Sequence, residues 1–197
     1  MNDFFAAYWL DILGTVIGLV YIYQEYKASI YLWITGIIMP VVYMFVYIDA
    51  GLYADFGMQV YYALAAAWGF AVWRWGKKDE TQSSAISITH FPLRQLLPAA
   101  MLFLLLWALI YWVLVNYTDS TVPVLDSWGN ALSVIGLWAL ARKYLEQWWI
   151  WIAVDTELAV LYVYKNLPFT ASLYALYTVI AIAGYFKWRK MLQGENL

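Results

Sequence analysis

Seven apolar stretches divide this chain, each close to the roughly 20 residues a helix needs to cross a bilayer. They run over Phe4–Tyr23, Ile30–Ile48, Asp55–Trp75, Gln95–Val115, Asp126–Ala141, Gln147–Tyr164 and Phe169–Phe186, the fifth being the shortest. The pattern predicts an all-α membrane protein of seven transmembrane helices. Composition agrees: the 197 residues are 65% hydrophobic and 12% charged, where a soluble domain is about half apolar and a quarter charged. Connections are brief except for residues 76–94, GKKDETQSSAISITHFPLR, which read as a polar, flexible loop. Within it His90 has no evident partner and reads as inert. The first apolar run follows no basic segment and carries no cleavage site, so it reads as a span and not as a signal peptide. The absence of Cys excludes disulfides, thiolate chemistry and Cys-ligated metals.

Positive charge sets an orientation. Lys27, Arg74, Lys77, Lys78, Arg94, Arg142, Lys143, Lys187, Arg189 and Lys190 fall in the loops after spans 1, 3 and 5 and in the tail, against Lys165 alone on the other side. By the positive-inside rule the N-terminus is outside and the C-terminus cytoplasmic, with residues 76–94 forming a cytoplasmic loop. Glu25 and Lys27 are expected to be solvated in the first cytoplasmic turn.

The chain also repeats itself. A shift of 115 residues, without a gap, lays the first three spans over the last three. Gly14 then meets Gly129, Trp33 meets Trp148, Tyr47 meets Tyr162, Tyr62 meets Tyr177, Gly69 meets Gly184 and Trp73 meets Trp188. The expected organisation is a first three-helix repeat over residues 4–75, a linker helix over 95–115 and a second repeat over 126–190. Three spans per repeat plus one linker give both repeats the same orientation, a parallel design recurrent among transporters.

The sixth span, WWIWIAVDTELAVLYVY, carries two carboxylates. An acid at membrane depth is expensive and marks a functional site by default. At 100° per residue Trp148, Trp151, Asp155 and Tyr162 share one face, with Glu157 nearly opposite. Aromatic rings around a single acid offer a seat for a flat cation; the alternative is interfacial tryptophans and an acid bonded to a neighbouring helix. Glu157 is left to a helix neighbour, a subunit interface or protonation. In the second span Trp33, Pro40 and Tyr47 occupy the corresponding face, and Pro40 marks a kink that acts as a hinge or is static. The third span presents Asp55, Gln59, Tyr62, Ala66, Gly69 and Trp73 on one stripe. Gln59 both donates and accepts, so it can read a carboxamide or an aminopyrimidine. Gly69 and Gly184 read as close-packing positions. Asp11 lines a vestibule or bonds a neighbour.

No enzyme constellation is visible. One His and no Cys remove most metal and thiol chemistry, and neither HExxH nor a phosphate loop occurs. No cofactor is expected. An intramembrane enzyme and a non-transporting scaffold remain as rival classes.

The segments LWITGIIMPVVYMFVYIDAGLYADFGMQVYYALAAAWGFAVWRW and WWIWIAVDTELAVLYVYKNLPFTASLYALYTVIAIAGYFKWRK resemble the core and the end of the PnuC family of vitamin transporters. The shared motifs are W-x-x-G, LY-[AG]-D-x-x-x-Q-x-x-Y, W-x-x-W and a closing G-Y-x-x-W. The resemblance covers nearly the whole chain. It implies a seven-span, 3+1+3 relative of the SWEET transporters, a homotrimer in the bacterial inner membrane. It further implies a uniporter moving an unphosphorylated vitamin that a cytoplasmic kinase then traps, with no nucleic-acid partner. By position it implies Trp33, Gln59, Tyr62, Trp148, Trp151 and Asp155 as substrate contacts. Nicotinamide riboside carriers of the family favour Asn where this chain has Asp155. A carboxylate suits an aminopyrimidine or a thiazolium, so the expected cargo is thiamine, with nicotinamide riboside as the alternative.

Overall fold

A computed structural model describes residues 2–49, 53–76, 87–118, 120–164 and 168–194. Side chains of Asp11, Tyr47 and Asp55 lie outside the described set, as do residues 77–86 of the long loop. The fold is all-α, with helices α1 Asn2–Tyr26, α2 Tyr31–Asp49, α3 Tyr53–Trp75, α4 Leu93–Tyr117, α5 Pro123–Ala141, α6 Gln147–Tyr164 and α7 Pro168–Leu192. Each apolar stretch is therefore one helix, extended by a few residues where the flanking turn is helical.

Among the described residues α4 and α5 are each long and apolar enough to cross a membrane on hydropathy alone, and Tyr31–Val46 is a shorter apolar helix. The expectation was seven. α3 falls short because its length is filled with Trp, Tyr, Gly and Gln, and α6 because it carries three Trp, Gln147 and two acids. Hydropathy scores these groups as polar although the rings are amphipathic.

The chain forms two compact units, Met1–Ala85 and Ile86–Leu197. In the first, α2 packs on both α1 and α3; in the second, α4 packs on α5, α5 on α6 and α6 on α7. The expected linker α4 thus groups with the second unit.

Inside the units the same contacts recur 115 residues apart. α1 ends where Ala28 N–H donates to Glu25 C=O (2.8 Å) and Ser29 N–H to Gln24 C=O (2.9 Å). α5 ends where Lys143 N–H donates to Leu140 C=O (2.9 Å) and Tyr144 N–H to Ala139 C=O (3.0 Å). These are paired Schellman bonds. The αL position holds Ala28 at φ 51° and Lys143 at φ 53°, where glycine would avoid about 1–2 kcal/mol of strain. The next helices also open alike, Leu32 N–H bonding Ser29 C=O and Gln147 N–H bonding Tyr144 C=O, both at 3.2 Å. Trp33 then meets Trp73 edge-on (5.6 Å, 85°) as Trp148 meets Trp188 (5.5 Å, 90°).

Two expectations about the turns are corrected. Glu25 is not solvated; it is 3% exposed. α1 meets α2 from Gly14, beside Met39, to its C-terminal end, where Thr35 Oγ1 donates to Gln24 Oε1 at 2.7 Å, so the end of the helix is enclosed. Nor are His90 and its neighbours loose. Thr89 N–H donates to Lys143 C=O (3.1 Å), and Leu145 N–H donates to Thr89 C=O (2.9 Å). Glu146 takes both His90 Nδ1 and Phe91 N–H at 2.7 Å. Phe91, Trp138 and Tyr144 meet edge to face, with centroids 5.1–5.7 Å apart. The α5–α6 turn therefore holds residues 89–91 in place.

Lys143 in this turn is 6% exposed. Burial holds its pKa down to about 8, from an ordinary 10.5. Between those values the unfolded chain binds more protons than the folded one, so stability rises with pH across that window. At neutral pH the folded protein carries a buried ammonium at a cost. The melting-temperature difference between Lys143→Met and the parent is expected to shift in the parent's favour as pH climbs from 8 toward 10.5, because only the parent gains stability across that window. A gap independent of pH would mean that the amine is fully hydrated.

Candidate functional site

The candidate residues divide between the units. Trp148, Trp151 and Asp155 lie on α6, and Trp33, Pro40, Gln59 and Tyr62 lie on α2 and α3.

α6 runs between two neighbours, and its side chains sort by which one they face. Trp148 is fully buried and lies flat over Gly184 of α7, where an added Cβ would stand 2.5 Å from the indole. One heptad on, Asp155 is 7% exposed and interacts electrostatically with Tyr177 of α7. A further heptad on, Tyr162 stacks on Tyr174 (5.3 Å, 14°), which meets Tyr177 edge-on at 5.7 Å. The α6–α7 seam is thus an aromatic wall with one acid in it. Trp151, about 60° round the helix from Trp148, leans back on α5 at Gly136. Glu157 faces α5 as well, its Oε2 3.0 Å from where a Cβ on Gly129 would be. Glu157 thus lies close to α5 while still within electrostatic reach of Tyr162 on its own helix.

In the first unit Trp33 is 1% exposed and packs over Gly69 and against Trp73. Pro40 is buried inside a continuous α2. Gln59 and Tyr62 are half-buried, with Tyr61 and Tyr62 ring centroids 5.4 Å apart. Ala66 and Trp73, further along the α3 stripe, are core.

Three indole N–H groups, of Trp33, Trp148 and Trp151, are buried with no hydrogen-bond partner among the described residues, as are both amide atoms of Gln147. Unpaired buried donors cost about 1–3 kcal/mol and call for an explanation. Gln147 was missed in the sequence because it opens α6 outside the aromatic stripe; its 115-residue counterpart is Leu32, equally buried. Tyr21 was missed as well. Its ring lies against Gly36, 3.1 Å from an added Cβ. Among the described residues no three His, Cys, Asp or Glu side chains group as metal ligands.

The comparisons with known proteins place this helical chain in a family. The profile described as "Nicotinamide mononucleotide transporter" matches residues 8–190. The nicotinamide riboside transporter PnuC of Escherichia coli is 21% identical, over 91% of this chain and 84% of its own. That of Neisseria mucosa is 24% identical, over 95% and 74%. The riboflavin/roseoflavin transporter RibM of Streptomyces davaonensis is 22% identical, over 91% and 84%. A crystal structure of the vitamin B3 transporter PnuC superposes with a TM-score of 0.73 at 22% identity, covering 98% of this chain and 86% of that one. The chain belongs to the PnuC family, whose members are transporters and not enzymes. It is a multi-pass protein of the bacterial inner membrane.

Proposed function

We propose that this protein carries nicotinamide riboside into the cell by facilitated diffusion. The observation that carries the reading is likeness over more than nine-tenths of the chain to transporters of that compound. α6 suits the cargo. Trp151, half-buried with an unpaired indole N–H, offers a ring face to a pyridinium. Asp155 offers a carboxylate to its charge or to the carboxamide N–H₂. Gln59 and Tyr62 are the further contacts implied by family position and Pro40 a hinge, while Trp148 and Trp33, 0% and 1% exposed, back the wall from inside the helix packing. All seven helices span the bilayer in a 3+1+3 parallel repeat of SWEET type. The N-terminus faces out and the C-terminus faces the cytoplasm. The working unit is a homotrimer, and a cytoplasmic kinase traps the cargo without needing to touch the carrier.

A second reading, thiamine, rests on Asp155 itself. An acid matches an aminopyrimidine whose ring nitrogen is protonated, where a carboxamide cargo is as well served by Asn. Calorimetric titration of the purified protein with nicotinamide riboside, thiamine and riboflavin separates the readings. Flux into liposomes then checks transport. Saturable binding and flux of nicotinamide riboside alone is the expected result. Thiamine binding alone transfers the assignment to thiamine, and no flux of any of the three removes the transporter reading.

A further inference from the structure

We propose that Gly136 on α5 is the positioning residue that sets the plane of the Trp151 indole, and through it the affinity and choice of substrate. The inference rests on the reading that Trp151 faces substrate.

A Cβ on Gly136 would stand 3.1 Å from Cζ2 and 3.3 Å from Cε2 of Trp151, and 3.1 Å from Cγ2 of Ile150. Ordinary van der Waals contact between carbons begins at about 3.5 Å. A methyl group there must push the indole by a few tenths of an ångström, and Ile150 occupies the adjoining space. The backbone itself does not require glycine: α5 is a regular helix through this position. A mid-helix glycine is about 1 kcal/mol less favourable than alanine. The reason for it lies in what it touches.

The first unit supports the same conclusion by inversion. Tyr21 and Gly36 correspond to Gly136 and Trp151 at the 115-residue spacing. There too an aromatic ring lies on a glycine, with Tyr21 Cε2 3.1 Å from an added Cβ on Gly36. Each unit therefore keeps one ring and one glycine between its paired helices, with the two roles exchanged between the helices. Trp148 on Gly184 differs, because that indole is fully buried and serves the packing of α6 on α7. Trp151 keeps part of its surface exposed, so its orientation has somewhere to be read.

The test compares Gly136→Ala, Trp151→Ala, Trp151→Phe and the double variant Gly136→Ala/Trp151→Phe. Calorimetric Kd values for nicotinamide riboside and thiamine are measured alongside melting temperature. Gly136→Ala is expected to raise Kd for the preferred vitamin about tenfold and to change the ratio of the two Kd values. The double variant is expected to bind more tightly than Trp151→Phe alone, because the methyl refills the space the smaller ring leaves. That comparison decides the matter even where Gly136→Ala alone does not fold. Wild-type Kd values in Gly136→Ala, or no gain in the double variant, would overturn the inference while Trp151→Ala still binds weakly. Wild-type binding by Trp151→Ala would instead overturn the reading on which it rests.

Discussion

Adding one methyl group at Gly184 is expected to destabilise the protein by about 2 kcal/mol, since overpacking costs about 1–3 kcal/mol and alanine recovers part of this through helix propensity. The new carbon would stand 2.5 Å from the Trp148 ring, and Trp148 is 0% exposed, held edge-on by Trp188. A ring closed in on all sides cannot retreat as an exposed one does. Scanning fluorimetry in detergent should record a melting point several degrees lower for Gly184→Ala. Gly69→Ala should fall comparably, because Trp33 sits over Gly69 in the same way. Gly184→Ala/Trp148→Phe should recover much of the loss. An unchanged melting point for Gly184→Ala would mean that the indole does not lie on Gly184.

Asp155→Asn is the second large effect, and it falls on choice of cargo. Hydrogen bonds to a charged group contribute about 1.5–3 kcal/mol, and each 1.4 kcal/mol is about tenfold in Kd. Thiamine, paired through a protonated aminopyrimidine, should bind the variant at least tenfold more weakly. Nicotinamide riboside, whose carboxamide an Asn can both donate to and accept from, should bind as well or better. Calorimetry with both vitamins reads the split directly. Unchanged affinity for both would remove Asp155 from the binding site.

The helices were readable in the sequence because each is a largely apolar run bounded by polar turn residues. The 115-residue correspondence was readable for the same chemical reason that it recurs in the contacts: Trp over Gly against Trp is a shape that few other residues reproduce. What was not readable was direction. Trp148 and Trp151 are both aromatic and share one face of a helical wheel, yet one is spent on α7 and the other leans on α5. A wheel drawn on one helix holds no information about where the neighbours stand. Tyr21 and Gly136 escaped notice because the spacing sets each opposite a residue of very different size, which reads as a mismatch until both contacts are seen. His90 looked idle because Glu146, its partner, is 56 positions away. Thiamine was favoured from one acid, Asp155, whereas likeness spread along the chain favours nicotinamide riboside.

The opposed placement of Asp155 and Glu157 limits how the second unit can move. Asp155 lies within electrostatic reach of Tyr177 on α7, and Glu157 Oε2 lies 3.0 Å from where a Cβ on Gly129 of α5 would be. A twist of α6 about its own axis would swing both acids at once, each toward a region that offers it less, at several kcal/mol if either met lipid. Tilting or sliding along the seams disturbs neither. α6 thus reaches both of its neighbours through acids only two residues apart, and a turn of the helix would displace both together.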